Sequence, residues 1–235
     1  MIEAILLDIE GTTTPIDFVH KTLFPFARRR MAEFVAENLP SLTDEVKSLK
    51  IEHKEDRAEE FYVKEFDETA PASISNYLEF LIDEDRKSTA LKSIQGKIWQ
   101  TGYEAGELKS EVFADVPRAF ARWREQGKTL AIYSSGNVLA QKLIFKYSNC
   151  GDLTPFIADY FDTNVGGKKE TVSYRKITAT LNFTAAEITF VSDVAAELDA
   201  AEAAGLQTIL AMREGNAPLG GQIKHQSIKS FDEIK

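Results

Sequence analysis

Only one of the 235 residues is a cysteine, Cys150, so no internal disulfide can form. That absence fits a reducing compartment and gives the expectation of a cytoplasmic protein. Histidine is also scarce. With only His20, His53 and His225 beside a lone thiol, a zinc site of the Cys/His kind is a poor expectation. Long hydrophobic runs are missing too. No apolar stretch exceeds four residues, against the roughly 20 that a bilayer-spanning helix needs. Met1-Ile2-Glu3-Ala4 offers neither the basic region nor the apolar stretch of a secretory signal. Positive charge is in the minority, with 28 Lys and Arg against 37 Asp and Glu, a net charge of −9. Such a chain is not built to track a nucleic-acid backbone. No internal repeat or low-complexity linker is visible.

What is present reads as a globular protein. An apolar content of 43% with 28% charged residues supports a core, and the length suits one domain with an elaboration or two small ones. Four compact apolar segments read as buried parallel strands: Ala4–Asp8, Thr129–Ser134, Ile188–Ser192 and Thr208–Met212. Helical spacing covers Pro117–Gln126, Val138–Tyr147, Val172–Leu181 and Ala195–Ala204, with Gly127 and Gly205 placed to stop two of these helices before a strand. Strand and helix alternating in this way predict an α/β fold, a Rossmann-like parallel sheet covered by helices.

The stretch from 16 to 105 differs, separating the first two strands by about 120 residues with no strand pattern of its own. Val19, Leu23, Ala27, Met31 and Val35 recur every fourth residue and make one apolar helix face, which Pro25 should kink or split. Thr43 is placed to cap a second helix running to about Lys64, and further helices are predicted over Ile74–Ile82 and Thr89–Tyr103. The expected organisation is a core of residues 1–15 and 106–235, with residues 16–105 as an inserted all-helical domain. Residues 52–85 hold twelve acids against three bases and so account for the whole net charge. They read as a solvated face of that insertion.

The chemistry-bearing residues lie at strand ends. The first strand runs into Asp8-Ile9-Glu10-Gly11-Thr12-Thr13. Extended, this chain would turn both acids to one side; looping at Gly11, it would gather carboxylate and backbone groups around a small pocket. Ligands of open α/β sheets bind at this end of the strands. The second strand ends Tyr133-Ser134-Ser135-Gly136-Asn137 and enters a helix, where hydroxyls and free backbone N–H groups form an anion cradle. Gly166-Gly167-Lys168-Lys169 places an ammonium group on what reads as a flexible loop. The third segment ends Ser192-Asp193, with Glu197 four residues on, either beside the site or an ordinary helical acid. Asp8, Asp193 and a carbonyl suit a hard divalent cation such as Mg²⁺. Arg28-Arg29-Arg30 reads as a solvated face, Cys150 as structural, and Trp99 and Trp123 as core or interface fillers, with Trp99 also a candidate for lining the substrate pocket.

Acid pair, hydroxyl cradle, lysine and acid in this order resemble the four motifs of the haloacid dehalogenase-like hydrolases. Glu10 departs from the usual second aspartate. Together with Leu23-Phe24-Pro25, Asp85-Arg86-Lys87, Thr89-Ala90-Leu91-Lys92, Gln95-Gly96, Trp99, Ala140-Gln141-Lys142-Leu143, Phe161-Asp162-Thr163, Ser173-Tyr174-Arg175-Lys176-Ile177 and Arg213-x-Gly215-Asn216-Ala217, it is similar to the enolase-phosphatase family of methionine salvage. The resemblance implies Asp8 as nucleophile and metal ligand, and Glu10 as general acid/base whose carbonyl also binds the metal. It implies Lys168 as charge neutraliser, Ser134 and Ser135 with Lys168 as substrate-binding groups, and Asp193 completing the site for one Mg²⁺ per chain. It further implies a monomer acting on a small phosphorylated diketone, with the helical insertion as a cap that excludes water. A phosphatase of another small phosphorylated metabolite remains the alternative.

Overall fold

A computed structural model describes residues 2–218 and 224–235. Six parallel strands form one sheet: β1 (Ala4–Leu7), β2 (Thr129–Tyr133), β3 (Asp159–Phe161), β4 (Ile188–Ser192), β5 (Gln207–Ala211) and β6 (Gln226–Ile228), in the order β3-β2-β1-β4-β5-β6. The four predicted strands form within a residue of their expected limits. β3 and β6 were not predicted. At three residues each, on the sheet edges, they are too short and too polar to show a period, and backbone pairing to β2 and β5 makes them strands.

β1 lies at the centre, every residue buried, which is why it reads as a continuous apolar run rather than an alternation. Leu7 stands in register with Ile132 of β2 and Val191 of β4. The chain therefore leaves the sheet at Asp8, Ser134 and Asp193 side by side. The order reverses direction at β1, where a crevice opens beyond the strand ends.

The chain divides into two compact units, residues 1–19 with 108–235, and residues 20–107. After α1 (Ile16–Phe18) comes a π-helical turn, Val19–Leu23, directly before α2 (Phe24–Asn38), whose second residue is Pro25. Proline cannot donate to the preceding turn, and the widened π turn absorbs that loss, so the expected break falls at the residue that causes it. The helical unit continues with α3 (Thr43–Ala58), α4 (Pro71–Asp83) and α5 (Thr89–Glu104). Thr43 is inside α3 rather than its cap, a position taken by Leu42, and α3 ends at Ala58, short of Lys64. Ser88 caps α5, accepting from Leu91 N–H at 3.1 Å. Trp99 is core: its indole N–H donates to the Leu23 carbonyl at 2.8 Å.

His53, Tyr62, Phe66, Tyr77 and Phe80 pack as an aromatic cluster inside this unit. Asp56, on the acidic segment expected to be solvated, is instead buried there, accepting from the Tyr77 hydroxyl at 2.7 Å and from Arg86 at 2.5 Å. Arg28 and Arg30 do lie on an exposed face, paired with Asp83 and Glu107.

In the sheet unit, α6 (Val116–Glu125), α7 (Val138–Lys146), α8 (Thr171–Leu181) and α9 (Ala195–Ala203) follow the predicted helical spacing. The core joins Leu6, Tyr133 and Phe190 of the sheet to Tyr174 and Ile177 of α8 and Leu198 of α9. Cys150 is exposed and packs no core. Among the described residues, no helix is long and apolar enough to cross a membrane.

Candidate active site

The turn after β1 is fixed by its own backbone. Gly11 has φ +65°, a left-handed conformation that favours glycine, and its N–H donates to the Thr14 carbonyl at 2.8 Å. The Ile9 carbonyl accepts from the N–H groups of Thr12, Thr13 and Thr14. Of the two geometries open from the sequence, the chain thus takes the loop. Glycine is required for a second reason: a Cβ at position 11 would stand 2.3 Å from Asp193 Oδ2 and 2.9 Å from Asn216 Oδ1. The backbone of the first acid motif and the carboxylate of the fourth are therefore in contact. Asn216 Nδ2 donates to the Gly11 carbonyl at 2.9 Å, and Arg213 Nε to that of Thr12 at 3.0 Å.

Asp8 is buried, and its Oδ1 accepts from Ile9 N–H at 2.7 Å. Lys168 places its ammonium 2.7 Å from Asp8 Oδ1 and 2.7 Å from Glu197 Oε2. Ser192 donates its hydroxyl to Glu197 Oε2 at 2.9 Å. Glu197 is therefore a partner of the lysine and not an ordinary helical acid. Burial alone would lower the Lys168 pKa, but the charges of Asp8 and Glu197 outweigh it and hold the group above its ordinary value. Burial, then the charge of Asp8, pushes Glu197 up against the opposing pull of Lys168. The same two causes push Asp193 up to about 7. Two carboxylates thus share one ammonium with a third nearby, and the site carries surplus negative charge. Lys169, by contrast, is exposed.

The lysine loop is not flexible. The carbonyls of Gly166, Gly167 and Lys168 accept hydrogen bonds from the hydroxyls of Tyr133 at 2.8 Å, Ser173 at 2.8 Å and Tyr174 at 2.5 Å. The two glycines suggested freedom, but side chains from β2 and α8 remove it.

Ser134 is buried at the end of β2, its N–H donating to the Phe161 carbonyl at 3.1 Å, and Ser135 is exposed beside it. The expected cradle of free N–H groups is partly spent. Gly136 N–H donates to Ser134 Oγ at 3.2 Å, and Ala140 N–H to Asn137 Oδ1, the cap of α7, at 2.8 Å. The cradle is strapped from below by Gln141, whose amide donates to the Gly136 and Phe161 carbonyls at 2.7 and 2.8 Å.

Glu10 lies half-buried on the turn. The donors here are all oxygens, and surplus carboxylate charge is the condition a bound cation relieves. Among the described residues no group of three His, Cys, Asp or Glu side chains is placed to hold a metal ion; Mg²⁺ takes one or two carboxylates with carbonyl and water oxygens. Asp8 and Asp193, the latter against the backbone of Gly11, are carboxylates of the kind such an ion takes.

Residues 2–205 match the family of haloacid dehalogenase-like hydrolases. The chain is 49% identical over 236 residues to "Enolase-phosphatase E1" of Synechococcus elongatus, covering 99% of this chain and 98% of that one. It is 44% identical over 241 residues to "Enolase-phosphatase E1" of Drosophila willistoni, covering 100% and 97%. The chain belongs to the enolase-phosphatase E1 family. A solved structure, the UTR4 protein (Unknown transcript 4 protein) of Saccharomyces cerevisiae, superimposes on this family member with a TM-score of 0.82 at 35% identity, over 100% of both chains.

In this enolase-phosphatase E1 family member, Asp8, Lys168 and Asp193 gather at one crevice with Ser134 on the neighbouring strand end. Tyr133, Gln141, Ser173, Tyr174, Arg213 and Asn216 support the site. All lie in sequence blocks that carry the family resemblance, where only their roles were hidden. Asp115, which braces Arg213 at 2.7 Å, had no sequence signal.

Proposed function

We propose that this chain is a Mg²⁺-dependent enolase-phosphatase, an acireductone synthase of methionine salvage. It converts 2,3-diketo-5-methylthiopentyl 1-phosphate to 1,2-dihydroxy-3-keto-5-methylthiopentene and phosphate, enolising first and dephosphorylating second. The observation that carries this reading is the buried pair of Lys168 with Asp8 beside the raised carboxyl of Asp193. In this reading it joins a nucleophile, a neutralising cation and surplus carboxylate charge at one point.

Asp8, Asp193 and the Glu10 carbonyl would hold one Mg²⁺. When bound, the ion supplies a hard Lewis acid that polarises carbonyl and phosphoryl oxygens. The Asp8 carboxylate forms a bond to phosphorus as the ester P–O bond breaks, and the leaving oxygen takes a proton from Glu10. Water then attacks the aspartyl-phosphate while Glu10 takes its proton, which releases phosphate and restores Asp8. Lys168 stays protonated through both steps and neutralises charge on the transferring group, while Ser134 and Ser135 orient its oxygens. Glu10 is the candidate base for enolisation among the residues of the sheet unit. In this reading residues 16–105 form the cap domain, residues 1–15 with 106–235 the catalytic one, and the enzyme is a cytoplasmic monomer.

The test is steady-state turnover of the diketone phosphate against a panel of sugar phosphates, following phosphate release and the enol absorbance together. Preference for the diketone with both signals supports the reading. Equal turnover of sugar phosphates would leave a general phosphatase.

A further inference from the structure

Lysine reaches its charge through four rotatable bonds, so an ammonium held 2.7 Å from two carboxylates at once depends on where its backbone sits. That backbone follows two glycines, which contribute no stiffness of their own. Gly166 has φ +138°, and a Cβ there would lie 2.2 Å from Ser173 Oγ. Glycine is what lets the hydroxyl of α8 come close, so the residue that loosens the chain also admits the group that holds it.

We propose that Tyr133, Ser173 and Tyr174 act as a hydroxyl clamp that sets the position of the Lys168 ammonium, with Tyr174 the principal positioning residue. The proposal rests on the catalytic reading of Lys168 given above. Three successive carbonyls are captured, and they are not captured equally. The Gly167 carbonyl also accepts from Glu170 N–H at 3.0 Å, so Ser173 is partly redundant. Tyr174 bonds the carbonyl of Lys168 itself at 2.5 Å, and Tyr174 is fully buried, so the lost bond is not replaced by bulk water.

Tyr133 adds a link between two parts of the site. Its backbone runs into Ser134 of the cradle, while its hydroxyl holds Gly166 at 2.8 Å. The rings of Tyr133 and Tyr174 meet edge to face at 5.5 Å, and the Lys168 ammonium stands 5.9 Å from the centre of the Tyr133 ring. Cradle and ammonium are thereby referred to one rigid pair of rings. Displacements of about 1 Å in a catalytic group can cost on the order of a hundredfold in rate.

The test compares Tyr174→Phe and Tyr133→Phe with Tyr77→Phe, which removes a buried tyrosine hydroxyl from the aromatic core of the helical unit. Tyr174→Phe is expected to lower kcat at least tenfold with KM within twofold of wild type, and Tyr133→Phe to do the same to a smaller extent. Tyr77→Phe is expected to lower the melting temperature without changing kcat. Amide hydrogen exchange over residues 166–169 should quicken at least tenfold in Tyr174→Phe and stay unchanged in Tyr77→Phe. Wild-type kcat in both clamp variants overturns the proposal, as does a kcat loss in Tyr77→Phe that scales with its melting temperature. If Tyr174→Phe does not fold, Tyr133→Phe decides by the same criteria. Unchanged loop exchange defeats the clamp whether or not the diketone phosphate is turned over. A wild-type enzyme that releases no phosphate, with exchange behaving as expected, defeats the functional reading instead.

Discussion

Lys168 meets Asp8 and Glu197 at 2.7 Å, and Arg213 meets Asp115 at the same distance, both deep in the sheet unit. Their surroundings differ. One oxygen of Asp115 accepts from Arg213, from Ser230 Oγ at 3.0 Å and from Phe231 N–H at 2.5 Å. Burial pushes the Asp115 carboxyl up, but these donors outweigh it and hold the group below the ordinary range. The guanidinium lies between the rings of Phe113 and Phe231, 4.6 and 4.4 Å from their centres. At Lys168 the balance runs the other way, with two carboxylates on one ammonium and Asp193 nearby, pushed up to about 7. A buried pair whose acid is depressed is finished structure. A buried pair among raised acids carries surplus negative charge, and perturbation of that kind clusters at functional sites.

The comparison breaks most sharply at Asp8. Asp8→Asn should cut phosphate release by about 10⁴-fold or more, as loss of a nucleophile does, while the protein stays folded. Near-normal turnover in that variant would remove Asp8 from its role. Arg213→Ala should do the reverse in kind. It leaves a buried carboxylate without its cation, at about 3–5 kcal/mol of stability, readable by urea denaturation at neutral pH. A loss below about 1 kcal/mol would show that Phe231 N–H and Ser230 suffice alone.

The pH dependence follows from the direction of the Asp115 shift. A carboxyl below its ordinary value of 3.8 in the folded state contributes stability that is complete above that value. The contribution is lost as pH falls through the lower folded value. Asp115→Asn should therefore flatten the acid limb of stability against pH, and an unaltered limb would assign it to other acids. The smallest effect is the most diagnostic. In protein stripped of metal with a chelator, Asp193→Asn should raise the melting temperature by about 2–4 °C, the response of a domain this size to roughly 1 kcal/mol. A drop would mean that Asp193 is as well satisfied as Asp115.

The sequence showed the sheet where burial is two-sided. β1, β2, β4 and β5 each carry a compact, mostly buried apolar run, while β3 and β6 are short edge strands defined only by their partners. At the site, Asp8 and Asp193 were legible as acids at the ends of predicted strands, and Lys168 from the order of motifs that carries the family resemblance. Glu197 was ambiguous, since four residues past Asp193 on a helix is an ordinary place for an acid until Lys168 is seen against it. The lysine loop misled for a physical reason. Glycines report conformational freedom in the local chain, and the three hydroxyls that cancel it come from β2 and α8. Asp56 misled in the same way: an acid within an acidic run gives no sign that one member is buried against Tyr77 and Arg86.

The brace at Arg213 also sets an order of events during synthesis. Arg213 supports the Thr12 carbonyl across 201 positions of sequence, and Asp115 grips Phe231 later still. Asp8 is synthesised long before either arrives. The turn beside Asp8 then lacks its guanidinium, and a fragment ending before Arg213 carries the acid without that support. A chain truncated before Arg213 would carry Asp8, Lys168 and Asp193 without the guanidinium that supports the Thr12 carbonyl.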